Sequence, residues 1–337
     1  MILAFIMVLF NIFLLIFPQI VLTASRGGLL LWFNNVLPTL LPFMVATNML
    51  IALGFAEFFE RLTAPIMKKL FGLPGAAGFG FLAGLTSGYP VGAKTVADLH
   101  RNGRLSTIDA QHLLAFCNNA GPLFIVGVVG VGMLGNARLG YVLWGTHIFS
   151  AVLVGILLGI KKRKLPHETA VLPENAKICP EKMRNAFKEN VPANVDSERS
   201  VGKVLGSAVK SSMDAMVVIG GLIIFFNVVL AIIEEIVNRF ELPLGEFFHY
   251  IAGLVEVTSG ARRLSALAHS ENLPLVVATM AFIIAFGGLS IHAQTFHFTA
   301  GTGIKNGRYI LAKILHGIFA AGLTVLIMKF FGGGVVF

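Results

Sequence analysis

Seven stretches of the chain, at about 2–22, 28–54, 107–132, 139–160, 212–235, 273–299 and 308–331, stay apolar long enough to cross a bilayer as a helix. A helix rises 1.5 Å per residue, so about 20 apolar residues cover the ~30 Å hydrocarbon core. The composition agrees: 56% of the 337 residues are hydrophobic, 13% are charged, and the mean hydropathy is +0.81. Soluble domains lie well outside that range. The expectation is an all-α polytopic membrane protein forming one membrane domain, with the bilayer as its surroundings. The first run has no basic segment before it and is longer than a signal-peptide core, so it reads as a retained helix over 1–27.

Two further stretches, about 74–101 and 245–270, are apolar but broken in the middle by TSGYP and TSGARR. Their arms of ~10–13 residues are too short to span. They are expected to form two re-entrant helical hairpins, whose irregular tips need protein or an aqueous lining around them.

The basic residues test this path. With the 161–211 linker on the cytoplasmic side, the segments on that side carry eighteen Lys and Arg and the opposite side carries Arg26, Arg138, Arg239 and Lys329. That bias orients the chain with its N-terminus inside. It also accounts for the formal charge of +9 without nucleic acid as a partner. The linker mixes both signs, carries four prolines and shows no sustained apolar face, so it is expected to be a solvated connector.

The two halves repeat one plan. Helix 28–54, hairpin 74–101 and helices 107–132 and 139–160 make up a unit over 28–160. Helix 212–235, hairpin 245–270 and helices 273–299 and 308–331 make up a second over 212–337. Thr86-Ser87-Gly88 pairs with Thr258-Ser259-Gly260, and Phe116 pairs with Phe286. Each unit crosses an odd number of times, which makes the repeat an inverted one. Interrupted segments at matched places in inverted halves point to a transporter site at the midplane.

The chemistry of the breaks favours an anion. The second arm of each hairpin begins with unsatisfied N–H groups at the positive end of a helix dipole. Lys94 follows one such start, and Arg262 and Arg263 follow the other. Intramembrane cations need a cavity or a counter-charge; Asp98 is placed to pair with Lys94, and Glu256 to neutralise Arg262 or Arg263. The alternative is that these pairs only brace the hairpins.

The helices after the hairpins are interrupted at Cys117-Asn118-Asn119-Ala120-Gly121-Pro122 and from Gly287 to Gln294. Asn118, Asn119, Ser290, His292 and Gln294 supply donors and acceptors for a ligand, or for neighbouring helices. With the tips Thr86, Ser87, Gly88, Tyr89, Thr258, Ser259 and Gly260, they complete the candidate site. His292 and His297 offer a proton relay, and Asp214 and Glu256 a place for a coupling ion. Ser106 with Asp109 reads as a structural capping box. Cys117 and Cys179 make no metal-type spacing, and no hydrolase, nucleotide or metal signature is present. No enzyme activity, cofactor or metal is expected, and a homo-oligomer is left open.

LTSGYPVGAK, FCNNAGPLFIVG, LVEVTSG and FGGLSIHAQ together resemble the YlbJ family of sporulation integral membrane proteins over nearly the whole chain. More distantly the architecture is similar to the Gate-domain, nucleoside-recognition group and so to concentrative nucleoside transporters. The polar hairpin motif of those transporters is replaced here by SGYPVGAK. The resemblance implies a place in the outer forespore membrane and passage of dipicolinate, a flat pyridine dicarboxylate with two negative charges. Two alternatives remain: transport of nucleosides or another small metabolite, and a non-transporting scaffold that acts through the 161–211 linker.

Overall fold

The computed structural model describes residues 1–53, 55–163, 197–241, 247–269 and 271–331, and these fold as helices and short connections. In the first half the elements are α1 Ile2–Ile16, α2 Pro18–Leu31, α3 Leu37–Ala52, α4 Phe55–Ile66, α5 Ala76–Thr86, α6 Val91–Arg101, α7 Thr107–Cys117, the wide π-type helix α8 Leu123–Met133, and α9 Ala137–Arg163. In the second half they are α10 Ser197–Arg239, α11 Phe247–Val255, α12 Val257–Ala266, α13 Leu273–Phe286, α14 Gly288–Thr299 and α15 Asn306–Phe331. The spans at 137–160, 201–239, 273–299 and 306–330 are individually long and apolar enough to cross a membrane; the bent pair 4–16 with 18–36 makes a fifth by length and composition.

The expected crossings at 2–22 and 28–54 are divided elsewhere. The chain bends by 101° at Phe17, because Pro18 opens the next helix and sterically disfavours a helical residue before it; Phe17 sits at φ −116°, ψ 52°. The helix that follows then runs from Pro18 through a π turn at Trp32–Val36 into α3, ending at Ala52. The 15 residues of α1 rise only ~22 Å, less than the hydrocarbon core. The expected crossing at 107–132 is built from two 11-residue pieces, α7 and α8.

Both hairpins form where expected, α5 with α6 and α11 with α12. The linker expectation falls on 164–196, outside the described residues, but its last part is a helix: α10 starts at Ser197 and continues without a break to Arg239. Val201, Val204, Leu205 and Ala208 give that segment helical spacing, and Ala208 and Ser212 are buried.

The halves exchange contacts reciprocally. The second hairpin arm α6 packs on α14 of the other half, and α12 on α8; α7 packs on α15, and α13 on α9; α9 and α15 meet each other. A two-fold relation between the halves produces this pattern. One core accordingly joins Phe71, Leu113 and Phe116 to Tyr309 and Ala312 of the second half. The other joins Val276, Met280 and Ile284 to Leu139 and Leu143 of the first.

The register of the repeat differs from the tripeptide match. Thr86-Ser87-Gly88 ends the first arm and forms its turn, whereas Thr258-Ser259-Gly260 lies inside the first turn of α12, after the tip at Glu256. The structural counterparts are the glycines where the arms cross. A Cβ on Gly260 would lie 2.1 Å from Gly253 Cα, and one on Gly92 3.1 Å from Gly84 Cα. His147 and His316, each buried in the last helix of its half, stand 169 positions apart, and Lys94 and Arg263 share that interval. Close backbone approach sets the equivalence; a short polar tripeptide does not.

Candidate functional site

The centre of the molecule is the break after α7. Asn118 leaves the helix at φ −83°, ψ 80°, and Gly121-Pro122 delays the restart until α8. Asn118 is fully buried and uses its whole amide: Oδ1 accepts from the Ala93 N–H of α6 at 3.3 Å, and Nδ2 donates to Thr295 Oγ1 and to Tyr309 Oη, both at 2.9 Å. One side chain thus ties the first hairpin to two helices of the second half. The Tyr309 hydroxyl also lies 3.3 Å from His292 Nδ1 and 3.3 Å from Thr295 Oγ1.

The first hairpin tip lies directly on this break. Gly88 is left-handed at φ +81°, and a Cβ there would meet Gly121 N at 2.5 Å. The Tyr89 N–H donates to Asn119 O. Beside it the Tyr89 ring packs against the core that contains Val257 and Ala261 of the second hairpin. In the second half α13 ends because Gly287 and Gly288 are left-handed, at φ +93° and +72°. A Cβ on Gly288 would lie 2.9 Å from Gly253 O, so this break also receives its own hairpin.

Two of the three charges predicted to hold an anion, Lys94 and Arg263, are already occupied. Lys94 Nζ donates to Asp98 Oδ2 at 2.8 Å, as the bracing alternative expects, and to Asn48 Oδ1 at 3.4 Å; Asn48 in turn donates to Ser212 Oγ of α10. Arg263 forms a two-pronged pair with Glu234 of α10 at 2.5 and 2.6 Å and lies over the Phe248 ring. Arg262 is exposed. Glu256 does not reach either arginine. Buried at the tip, it caps its own helix, accepting from the Thr258 and Ser259 N–H groups at 3.0 and 2.6 Å. The positive helix end expected to receive a ligand carboxylate therefore holds one from the chain, the arrangement a buried helix start requires.

Lys94 and Arg263 thus tether the two second arms toward α10. A double-mutant cycle on Arg263→Met and Glu234→Gln is expected to give a favourable coupling of about 1 kcal/mol, read from melting of the solubilised protein. Zero coupling would remove the tether from the account.

Five further polar atoms, on residues of the first hairpin tip and of the two broken helices, are buried and without a hydrogen-bond partner among the described residues: Ser87 Oγ, Tyr89 Oη, Asn119 Oδ1, His292 Nε2 and Gln294 Oε1. All five belong to residues named from the sequence. Buried polar groups are nearly always paired, so such a set at two helix breaks is an unfilled demand for hydrogen bonds. Ser290 receives Gln294 Nε2 at 3.3 Å and lies on the same face of α14.

The cation at the centre is one that sequence reasoning passed over. Lys313 of α15 is fully buried; its Nζ donates to Asn118 O at 2.9 Å and meets His316 Nδ1 at 3.1 Å. His316 Nε2 lies 2.9 Å from His147 O, and His147 Nε2 accepts the Ala120 N–H at 3.1 Å. No carboxylate of the described residues pairs with Lys313. The signal was present: a lysine and a histidine three residues apart in an otherwise apolar span, where an ionisable group marks function by default.

Comparisons with known proteins agree with this architecture. The family model described as "Gate: Nucleoside recognition" matches residues 33–137, the stretch holding α3, the first hairpin and the break at Asn118. The sporulation integral membrane protein YlbJ of Bacillus subtilis (strain 168) is 31% identical over 325 residues, which cover 93% of this chain and 78% of that protein. No solved structure matches. With identity and coverage of this order along both chains, this integral membrane protein belongs to the YlbJ family of sporulation integral membrane proteins.

Proposed function

We propose that the chain is a membrane transporter for a small organic anion, and that the anion is dipicolinate, passed across the outer forespore membrane. The observation that carries this reading is Lys313, a buried amino group with no carboxylate beside it among the described residues, held against a broken helix where the two halves meet and in need of a negative partner whenever it is protonated. An unpaired charge at that depth is costly, and an anionic ligand is the partner that relieves it. In this reading Lys313 takes the role first given to Lys94, Arg262 and Arg263. The unpaired hydroxyls of Ser87 and Tyr89, and His292 Nε2 in the tautomer that carries its hydrogen there, donate to the rest of the ligand; Asn119 Oδ1 and Gln294 Oε1 only accept and take no part in holding a dicarboxylate. In this reading the N-terminus and the linker are cytoplasmic, which the bias of Lys and Arg supports.

A second reading, transport of a nucleoside, is favoured by the description of the family model over 33–137 and by the neutral character of those five atoms. Uptake of labelled dipicolinate into vesicles containing the purified chain separates the two. The expected result is competition by unlabelled dipicolinate and none by uridine or adenosine. Nucleoside uptake that dipicolinate leaves untouched would establish the second reading in place of the first.

A further inference from the structure

The hydrogen bonds around Lys313 fix where its protons are. A carbonyl oxygen only accepts, so the His316 Nε2 that faces His147 O carries a hydrogen. In the neutral ring Nδ1 is then the acceptor, and Lys313 donates to it. The His147 Nε2 that receives the Ala120 N–H is bare, so the hydrogen of that neutral ring is on Nδ1, which has no partner. Lys313 therefore has two acceptors, Asn118 O and His316 Nδ1. A neutral amine has two N–H groups and an ammonium has three. The cluster satisfies the amine completely and leaves one N–H of the ammonium unmet.

We infer that the substrate anion and one proton cross the membrane together, with Lys313 Nζ carrying the proton and the substrate carboxylate accepting the third N–H. This inference rests on the anion-transport reading above. In the loaded state the ammonium neutralises one of the two carboxylates of dipicolinate, and the second accepts from the unpaired Ser87 and Tyr89 hydroxyls, so each cycle moves one proton with the dianion. When the site opens on the release side, the carboxylate leaves to water and the proton leaves Nζ to water. The amine that remains keeps its bonds to Asn118 O and His316 Nδ1. An anion that left alone would strand a buried ammonium with no counter-charge. The groups that face Lys313 support a single carrier. They are His316 and Tyr309 from α15 itself, Cys117 from α7, His147 from α9 and His292 from α14; α13 contributes no titratable residue. None of these is a carboxylate, so the substrate supplies the negative charge.

The test uses the full chain in vesicles with dipicolinate as the probe, a pH dye inside, and the membrane potential held at zero with potassium and valinomycin. An inward dipicolinate gradient is expected to acidify the lumen. A pH difference of one unit, acid outside, is expected to raise the accumulation ratio about tenfold, the equivalent of about 1.4 kcal/mol for one proton. Lys313→Arg holds its charge permanently and is expected to bind dipicolinate while losing the pH-driven accumulation. Dipicolinate flux in the wild-type chain with no lumenal pH change and no response to the gradient overturns the coupling and leaves the transport reading standing. Absence of dipicolinate flux at every pH overturns both. Should Lys313→Arg fail to fold, the wild-type measurement still decides.

Discussion

Lys313→Met is expected to lower dipicolinate uptake by at least about 30-fold. Removing one partner of a buried, hydrogen-bonded charge pair costs about 2–5 kcal/mol, and 2 kcal/mol is already about a 30-fold change in an equilibrium constant. Methionine keeps the length and apolar stem of lysine, so the packing of α15 against α7 and α9 is retained. What it removes is the charge and the donor to Asn118 O. Folding is checked by melting of the detergent-solubilised variant, and uptake by the vesicle assay. A folded Lys313→Met chain that transports dipicolinate at the wild-type rate would show that this lysine serves only the break in α7. Lys94 then becomes the comparison: its ammonium already has Asp98, so Lys94→Met is expected to change uptake much less.

The second large effect is on folding. Gly88→Ala is expected to destabilise the protein by about 2–5 kcal/mol. A left-handed backbone costs a residue with a side chain about 1–2 kcal/mol, and forcing a methyl group into a packed site costs about 1–3 kcal/mol more. Both apply here, because Gly88 has φ +81° and its added Cβ would press on Gly121 N at 2.5 Å, backbone against backbone with no side chain to yield. Two controls separate the terms. Gly135 has φ +64° and open space around it, so Gly135→Ala should show the conformational cost alone. Gly145 lies inside α9 with nothing within 4 Å, and there alanine should stabilise slightly. If Gly88→Ala melts no lower than Gly135→Ala, the tip does not press on the break as described.

The two predictions probe opposite sides of the same junction. Lys313 holds the break at Asn118 from the side of the long helices, and Gly88 lets the hairpin tip reach it from the other. Asn118 links them, since its backbone oxygen takes Lys313 and its side chain takes Ala93, Thr295 and Tyr309. Under the transport reading proposed above, a ligand at this junction competes for these contacts, so the two predictions test transport and stability at one place.

Much of this was legible in the chain itself. The long apolar runs, the two short-armed hairpins and the two breaks came from residue spacing, because hydrocarbon thickness and helix rise leave few other solutions. The polar residues of the breaks, from Asn118 to Gln294, stood out as a group, since polar atoms inside a bilayer are conspicuous, and the structure buries Asn118, Asn119, Ser290, His292 and Gln294. The positions of the bends were less legible. Pro18 was a visible signal for the break at Phe17, yet an apolar run continues through it. The TSG match was misleading because a turn is set by which backbone atoms must approach, as at Gly253 and Gly260, and three small polar residues recur without that geometry.

What the sequence by itself determined is the membrane class, the repeated order of elements and the location of the breaks. Each of these depends on local hydrophobicity and backbone propensity, which neighbouring residues carry. Spacing gave Lys94 its partner Asp98 one turn on, but only the tertiary structure decided where the other charges found theirs. Arg263 is far from Glu234 in the chain and met on α10; Glu256 turned back on its own helix; Lys313 was left without an acid. Ion pairs and hydrogen bonds act over a few ångströms and are fixed by how helices cross, and no spacing along the chain contains that information.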